Sequence, residues 1–300
     1  MAHRLSLLLA LVPVLGLVEL GAQLYFSRRA PGFDAYAALG PKLEKLKQAG
    51  IPVVVAPRWA EPLVRQAAPK AFPVAELTRP DDAAFAQFLE VSVLGAHAAE
   101  LSSFPTKSEE RVGPFVLSVR ENARATPVKF DFVTAVDVGQ VEVYTQRGPE
   151  RSLCEHVERA RPTTGGLHGG VTRPRGRFEC GGSVVGVTLI EDEQYRPRRC
   201  ILVDPSDAGD VVLRFSAVPT SDMLVGYTGF SYFRSRDATG IGVVLGFTDG
   251  AENLGQRPAP ANGAWTRFEL KRVGALGAVE VTVARRAAAP PDFCFALEAR

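Results

Sequence analysis

One long apolar stretch near the start of the chain constrains the rest most strongly. From Leu5 to Phe26 the sequence carries a single charged residue, Glu19. As a helix, at about 1.5 Å per residue, this stretch would be about 33 Å long, enough to cross a hydrocarbon core of about 30 Å. Its apolar residues lie on all sides rather than along one stripe, which disfavours a helix buried in a soluble domain. We therefore expect a membrane segment or an export signal.

Two interpretations of the stretch compete. In the first it is an uncleaved signal anchor, because the apolar run continues to Tyr25 and Phe26, which suit a membrane interface. In the second it is a signal peptide with the apolar core Leu5–Leu17, which is cut off. A cut after Ala22 would place the large Leu20 where a small residue is preferred. The anchor is therefore favoured, and it predicts a protein held by this segment on the outer side of a membrane, periplasmic or at the cell surface.

Composition limits the classes of function. The chain has 300 residues, of which 46% are hydrophobic, and its net charge is +2. That length allows one large or two medium domains. A charge so close to zero disfavours a nucleic-acid partner, which would require a basic surface. Four cysteines, an even number, fit an oxidising compartment.

Residues 1–29 form the predicted membrane segment, and residues 30–145 are predicted to form a small α/β domain. Helical and extended patterns alternate here: Pro41–Ala49 is typical of an amphipathic helix, and the β-branched run Ile51–Ala56 is typical of a buried strand. Phe85 and Phe88 are spaced to share one helical face. Such alternation favours an α/β layer with some parallel strand pairing.

The second half has a different pattern. Residues 146–183 are rich in loop-forming residues and are predicted to be a connector. Residues 184–300 hold short strand candidates separated by turn residues, with no convincing helix between them. This is typical of a two-sheet antiparallel β-sandwich or jelly roll, and the whole chain is predicted to be α+β. The candidates are Ser183–Ile190, Cys200–Asp204, Val211–Val218, Met223–Phe230, Ile241–Phe247, Trp265–Leu270, Val279–Val283 and Phe293–Leu297.

A family resemblance follows from the last three of these strands. A strand with Trp265 and Phe268, then the alternating Val279–Val283, then the closing Phe293–Leu297, resembles the galactose-binding-like jelly rolls. The resemblance covers residues 184–300. Those folds occur in many carbohydrate-binding modules, so it implies a glycan as a possible ligand.

Aromatic side chains are the first candidates for contacts with a sugar, because a ring can pack on the apolar face of a pyranose. Tyr232 and Trp265 are the predicted ligand-binding aromatics, with Arg234 beside Tyr232. Alternation along a strand sends about half of the side chains inward, so some neighbouring aromatics belong to the core. Trp59 is predicted to be a packing residue of the first domain.

Two cysteines lie within the connector. Cys154 and Cys180 are predicted to form a disulfide, since the chain is expected to fold outside the cytosol. Zinc is the alternative, with His156 and His168 as the other two ligands, but the spacing fits no zinc finger. No metal or cofactor is therefore assigned.

Cys200 and Cys294 lie in early and final strands of the predicted sandwich. The first and last strands of jelly rolls are often neighbours, so the resemblance implies that these two cysteines pair. Four cysteines allow three pairings, and the spacing does not choose among them.

The sequence supports three functional hypotheses. The favoured one is a non-catalytic, membrane-anchored protein whose sandwich binds a glycan or another component of the cell envelope. The alternative is a hydrolase of envelope glycans or lipid-linked sugars that uses acids such as Asp131 or Asp137. A structural subunit of a membrane assembly is the third, and it predicts a large exposed apolar patch. No G-x-S-x-G or dinucleotide-binding motif occurs, so catalysis is neither assigned nor excluded.

Overall fold

The computed structural model describes residues 13–25, 30–161, 171–193, 196–204, 209–231, 235, 237–250, 252–262, 264–271, 277–286 and 292–300. The chain divides into two compact units. The first comprises residues Met1–Pro73 and Phe85–Arg124, and the second comprises Val74–Ala84 and Ala125–Arg300. The short segment Val74–Ala84 thus belongs to the second unit, although it is flanked in sequence by the first.

Helix α1 covers residues 13–25, so it is part of the apolar stretch predicted to lie in a membrane. The remaining residues of Leu5–Phe26 lie outside the described residues. Apolar side chains along α1, from Val14 to Tyr25, are exposed. Across the described residues, no helix has both the length and the apolar composition that a bilayer crossing requires.

The first unit combines helices with a small sheet. Its sheet has the strand order β1-β2-β4-β3. Strands β1 and β2 are parallel, with Val53 opposite Leu89, whereas the other pairs are antiparallel. The α/β character expected from the sequence is therefore present. The elements are α2 (Phe33–Leu46), β1 (Val53–Ala56), α3 (Glu61–Ala67), β2 (Gln87–Val93), β3 (Thr106–Val112) and β4 (Phe115–Glu121).

The predicted helical face around Phe88 is wrong. Phe88 lies in strand β2, and its ring packs against those of Phe85 and Phe104, with ring centroids 5.9 and 5.6 Å away. A spacing of three residues between two phenylalanines favours a helix only if the segment does not pair with other strands. Here the pairing of β2 with two neighbouring strands satisfies the backbone and buries Phe88, so tertiary contacts override the local pattern.

The second unit is a β-sandwich of two antiparallel sheets. One sheet has the order β16-β13-β18-β11-β10-β9-β8, with β5 paired to β18, and the other has the order β15-β14-β17-β12-β6-β7. Its elements are α4 (Val74–Leu77), β5 (Phe130–Asp131), α5 (Phe132–Asp137), β6 (Glu142–Arg147), β7 (Glu150–Leu153), β8 (Glu155–Val157), β9 (Arg177–Cys180), β10 (Ser183–Glu191), β11 (Pro197–Asp204), β12 (Asp210–Phe215), β13 (Met223–Phe230), β14 (Ile241–Asp249), β15 (Glu252–Pro260), β16 (Thr266–Lys271), β17 (Val279–Arg285) and β18 (Phe293–Ala299).

Both sheets contribute to one core. Phe230 and Phe293 enter it from the first sheet and Phe215 and Phe247 from the second, and all four rings are fully buried. Alternation along these strands directs one face inward, which is why the apolar pattern of the sequence identified the strands. All eight strand candidates after residue 183 are strands, and the predicted β-sandwich is confirmed.

Two disulfides join parts of the sandwich, as the sequence predicted. Cys154 is bonded to Cys180, which connects the end of β7 to β9, and Cys200 is bonded to Cys294, which connects β11 to β18. Because Cys154 and Cys180 are bonded to each other, neither has a thiolate that could bind zinc. His168, the other ligand considered for zinc besides His156, lies outside the described residues.

Candidate functional site

Of the three residues predicted to contact a sugar, the structure describes one. Tyr232 and Arg234 lie outside the described residues. Trp265 directly precedes β16 and is half-buried, with its ring stacked on that of Tyr227 at 5.9 Å between centroids and an angle of 8°. The guanidinium of Arg198 lies 6.0 Å from the Trp265 ring centroid. The indole therefore takes part in packing on this sheet.

Arg198 also holds the segment Val74–Ala84, which we call the strap, against the sandwich. Its Nε donates a hydrogen bond of 2.9 Å to Asp192, and its terminal nitrogen donates to the backbone carbonyls of Arg79 and Pro80 at 2.8 and 3.0 Å. A planar guanidinium with several donors suits this role, since it can bind a carboxylate and two carbonyls at once.

A second contact of the strap is ionic. Asp81 accepts hydrogen bonds from the Tyr227 hydroxyl and from Arg300 (2.9 Å), and Arg267 approaches it to 3.2 Å. Arg300, whose side chain is fully buried, also pairs with Glu298. These contacts join the strap to strands β13 and β16 and to Arg300, which follows β18. Asp81 and Arg300 are largely shielded from water, whereas the Arg267 side chain is 40% exposed.

Burial and partners act in opposite directions on these carboxyl groups. Burial alone would raise the pKa of Asp81, but hydrogen bonds from Arg300 and Tyr227 and the positive charges of Arg300 and Arg267 lower it overall. Burial raises the pKa of Glu298 despite its pairing with Arg300. The cluster thus stabilises the strap, and its groups are occupied by one another rather than open to a ligand.

An open groove lies elsewhere on the second unit, and we call it the Phe130 groove. Its volume is about 440 Å³, within the range of about 300–1,000 Å³ common for ligand pockets. Phe130 is partly exposed and supplies apolar surface, while the buried Phe215 ring lies behind it at 6.5 Å between ring centroids. Polar groups come from the start of β6 and the end of β12. The lining residues are Phe130, Gly139, Gln140, Val141, Glu142, Arg214, Phe215, Ser216 and Ala217.

The charged groups of the groove are only loosely engaged. Arg214 lies 3.8 Å from Glu142 and 3.9 Å from Glu280, and both Arg214 and Glu142 are about half exposed. Exposed ion pairs of this length contribute about 0–1 kcal/mol, so a ligand can replace them at little cost. Glu280, in contrast, receives two hydrogen bonds from Arg151 at 3.0 and 3.1 Å.

Tyr144 lies next to the groove on the same face of β6. Its hydroxyl donates a hydrogen bond of 3.0 Å to Glu142. Partial desolvation and the neighbouring Glu142 carboxylate raise the pKa of Tyr144, so the hydroxyl stays neutral. Glu142 is thereby oriented from one side by Tyr144 and from the other by Arg214.

The sequence analysis did not identify this groove. Arg214 is the one basic residue in the largely apolar strand DVVLRF, and Glu142 and Tyr144 alternate with the buried Val143. Both patterns indicate side chains on the outer face of a sheet. Nothing in the sequence shows that β6 pairs with β12, and only that pairing, with Glu142 opposite Arg214, brings these groups together.

The two acids considered for hydrolysis have other partners. Asp131 caps helix α5, since its side chain accepts hydrogen bonds from the backbone N–H groups of Val133 and Thr134. Asp137 pairs with Arg199 at 2.7 Å, and Asp131 lies 3.9 Å from the same guanidinium. Neither acid lines the Phe130 groove.

Comparisons with known proteins give matches among solved structures alone. No protein-family model and no curated protein matches the chain. A CBM51 module from the Clostridium perfringens GH95 protein, in complex with methyl-galactose, has 8% identity and a TM-score of 0.28 and covers 38% of this chain and 80% of its own. A CBM6 module from Cellvibrio mixtus lichenase 5A, in complex with cellotriose, has 18% identity and a TM-score of 0.26 over 39% of this chain and 87% of its own.

A third match is the C-terminal CBM6 module of the laminarinase LamC from Zobellia galactanivorans, with 10% identity and a TM-score of 0.25 over 38% of this chain and 88% of its own. All three are carbohydrate-binding modules, the class that the strand pattern of residues 184–300 resembles. At these TM-scores the backbones superpose only in part. The β-sandwich is therefore established by its own sheets, and any function has to follow from its own surface.

Proposed function

We propose that the second unit binds a glycan in the Phe130 groove and does not act on it chemically. The observation that carries this proposal is the combination, in one open groove, of an apolar floor with loosely paired polar groups. Phe130 offers a ring to the apolar face of a sugar, and Arg214, Glu142 and Gln140 offer donors and acceptors to its hydroxyls. Pockets that bind small molecules typically combine an apolar lining with a few convergent polar groups.

Binding of methyl-galactose, cellotriose and an array of envelope glycans to the full chain tests this proposal. We expect Arg214→Ala and Ala217→Trp, which remove a donor and fill the groove, to weaken binding about tenfold, or about 1.4 kcal/mol. Ala123→Trp is the matched control, since Ala123 is exposed and does not line the groove. If both groove variants still bind the glycan with unchanged affinity, the glycan site is not the Phe130 groove. If the chain binds no glycan, the proposal is wrong.

Trp265, Tyr232 and Arg234 stay candidates for a second sugar contact. Trp265 retains a partly exposed ring, and its indole N–H is buried without a hydrogen-bond partner among the described residues. The same binding assay distinguishes the two places. If Trp265→Ala or Tyr232→Ala abolishes binding while Arg214→Ala leaves it intact, the sugar is bound at the Trp265 end.

The hydrolase alternative gains no support from its two named acids. A glycosidase needs two carboxyl groups on opposite sides of the bond that it cleaves. Asp131 and Asp137 instead approach one guanidinium, that of Arg199, and Asp131 also caps a helix. Binding without hydrolysis is therefore the function we propose.

We further propose that the apolar stretch Leu5–Phe26 holds the protein at the outer side of a membrane. The exposed apolar side chains of α1, among them Val14, Leu15 and Leu17, support this, because burial in a bilayer would remove them from water. Two disulfides are typical of proteins that fold outside the cytosol. Membrane fractions washed with alkaline carbonate should retain the chain, whereas its release into the wash would contradict anchoring.

A further inference from the structure

A small apolar pocket in the first unit lies between helices α2 and α3. Its volume is about 260 Å³, slightly below the range of about 300–1,000 Å³ typical of sites for whole small molecules. The two helices approach closely at Gly40, where a Cβ atom would overlap the backbone carbonyl of Ala67. Phe33, Tyr36 and Leu63 are among the lining residues. The pocket suits part of an elongated apolar molecule.

Two residues that line the pocket are unusual: one has a buried hydroxyl without a described partner, and the other has an exposed ring. Tyr36 is 97% buried, yet its hydroxyl has no hydrogen-bond partner among the described residues. Burial raises the pKa of Tyr36, so the hydroxyl remains a donor. Phe33 is 71% exposed although it is fully apolar. A ligand with an apolar chain and an oxygen acceptor would satisfy both groups.

The position of the pocket along the chain indicates which ligand this is. Phe33 follows Tyr25, the last residue of α1, by eight positions (33 − 25 = 8), which span at most about 29 Å. If the apolar stretch is attached to a membrane, the pocket therefore lies within reach of the lipid headgroups. Arg28 and Arg29 lie between α1 and Phe33 in the sequence, and basic residues next to a membrane segment attract anionic lipids.

We propose that this pocket binds one acyl chain of an anionic phospholipid, with the ester carbonyl of that chain accepting a hydrogen bond from Tyr36. The inference rests on the membrane attachment proposed above and is independent of the Phe130 groove. The apolar walls hold the chain, the Tyr36 hydroxyl binds the carbonyl, and Phe33 covers the entrance. A lipid held in this way would fix the first unit close to the membrane surface.

Photo-crosslinking of the full chain tests the proposal. The chain is reconstituted in vesicles of phosphatidylcholine and phosphatidylglycerol with a trace of phosphatidylglycerol that carries a diazirine on one acyl chain. Mass spectrometry should locate the cross-links in residues 33–41 and 61–67. Ala37→Trp, which fills the pocket from an exposed position, should lower this yield about tenfold, as expected when a lining position is blocked. Tyr36→Phe should lower it less.

Ala38→Trp is the matched control, because Ala38 is exposed on the same helix but does not line the pocket. Equal yields in the Ala37 and Ala38 variants would overturn the proposal. Lipid cross-links confined to the N-terminal residues, with none in residues 33–41 or 61–67, would overturn it as well. Flotation of the vesicles reports on attachment separately. If the chain does not float, the cross-linking is repeated with a short-chain form of the same lipid, used as a monomer. The yields of the Ala37 and Ala38 variants then test the pocket without membrane attachment.

Discussion

The carboxylate of Asp81 is contacted by one hydroxyl and two guanidinium groups. Its residual exposure is small, at 18% of the side chain, so these contacts act in a poorly solvated environment. A carboxylate in such a place is stable only when its partners compensate for lost hydration. Arg300, Tyr227 and Arg267 provide that compensation, and they lower the pKa of Asp81. Ionised Asp81 therefore stabilises the docked strap.

Asp81→Asn should destabilise the second unit by about 3 kcal/mol, since Arg300, Arg267 and Tyr227 would lose the negative charge that they bind in a buried cluster. The folded pKa of Asp81 lies below its unfolded value, so its contribution is complete above the unfolded pKa, about 3.9. It is lost as the pH falls through the folded pKa. The advantage of the wild type over Asp81→Asn in chemical denaturation should therefore shrink as the pH falls below about 4. An advantage independent of pH would contradict this assignment.

Trp265 combines a stacked ring with contacts to the buried core, so its first role is in packing. Trp265→Ala should cost about 3 kcal/mol in denaturant unfolding, the lower end of the range for large aromatic truncations, because the ring is only half-buried. Trp59→Ala is the control. Trp59 is 55% exposed, so the packing role predicted for it is wrong, and we expect a change within about 0.5 kcal/mol. A loss for Trp265→Ala as small as that expected for Trp59→Ala would show that Trp265 is not a packing residue.

Strands β11 and β18 illustrate how separate elements become neighbours. They are adjacent in one sheet, with Leu202 opposite Cys294, although they are far apart in the chain. The Cys200–Cys294 bond closes a sequence separation of 94, whereas Cys154–Cys180 closes one of 26. In the chain-entropy model a longer closed loop restricts the unfolded chain more.

Replacing Cys200 and Cys294 together by alanine should therefore cost about 4–5 kcal/mol, and replacing Cys154 and Cys180 about 3–4 kcal/mol. The four positions are buried, so alanine avoids placing a hydroxyl in the core. Thermal unfolding of the two double variants in parallel measures the difference. A larger loss for the shorter loop would mean that packing, rather than loop closure, dominates at these sites.

The molecule as a whole joins an apolar N-terminal stretch, a small α/β unit and a disulfide-linked β-sandwich. The strap complicates this order, because Val74–Ala84 lies in the sequence of the first unit and in the contacts of the second. The proposed compartment follows from the same combination, since a chain with four paired cysteines is suited to oxidising conditions.

Protein isolated from cells without a reductant should accordingly have no free thiol. We expect alkylation followed by mass spectrometry to modify none of the four cysteines before reduction and all four after it. Recovery of the chain from the cytosol with four reduced thiols would contradict both the export and the membrane attachment proposed here. The chain denatured before alkylation is the necessary control, because buried cysteines in a folded protein escape the reagent.

The sandwich could be predicted from its strands because each carries its own pattern of inward and outward side chains. Met223–Phe230 begins and ends where the sequence places it. Strand β15 (Glu252–Pro260) was missed, since it contains glycine and proline and its described partner is β14 alone. Proline and glycine are tolerated at the edge of a sheet, where only one side of the strand is paired.

The candidate site, in contrast, could not be predicted from local sequence patterns. Tyr232 and Trp265 were predicted to bind a sugar because they are aromatic, and Arg234 because it is a basic neighbour of Tyr232. Residue type alone cannot distinguish a packed ring from an open one. The Phe130 groove depends on residues from β5, β6 and β12, which are distant in the chain, as Phe130 and Phe215 show. No local pattern connects Phe130 with Arg214.

The sequence alone determined the apolar N-terminal stretch, the even number of cysteines and the β-sandwich. Each of these follows from the composition or period of a contiguous segment, or from a resemblance carried by such segments. The tertiary structure alone decided where the strap docks, that Trp265 stacks on Tyr227, and that Glu142 and Arg214 face a shared groove. Those contacts depend on which strands become neighbours. That choice is made by the burial of the whole core, because the free energy of packing sums over many distant side chains at once.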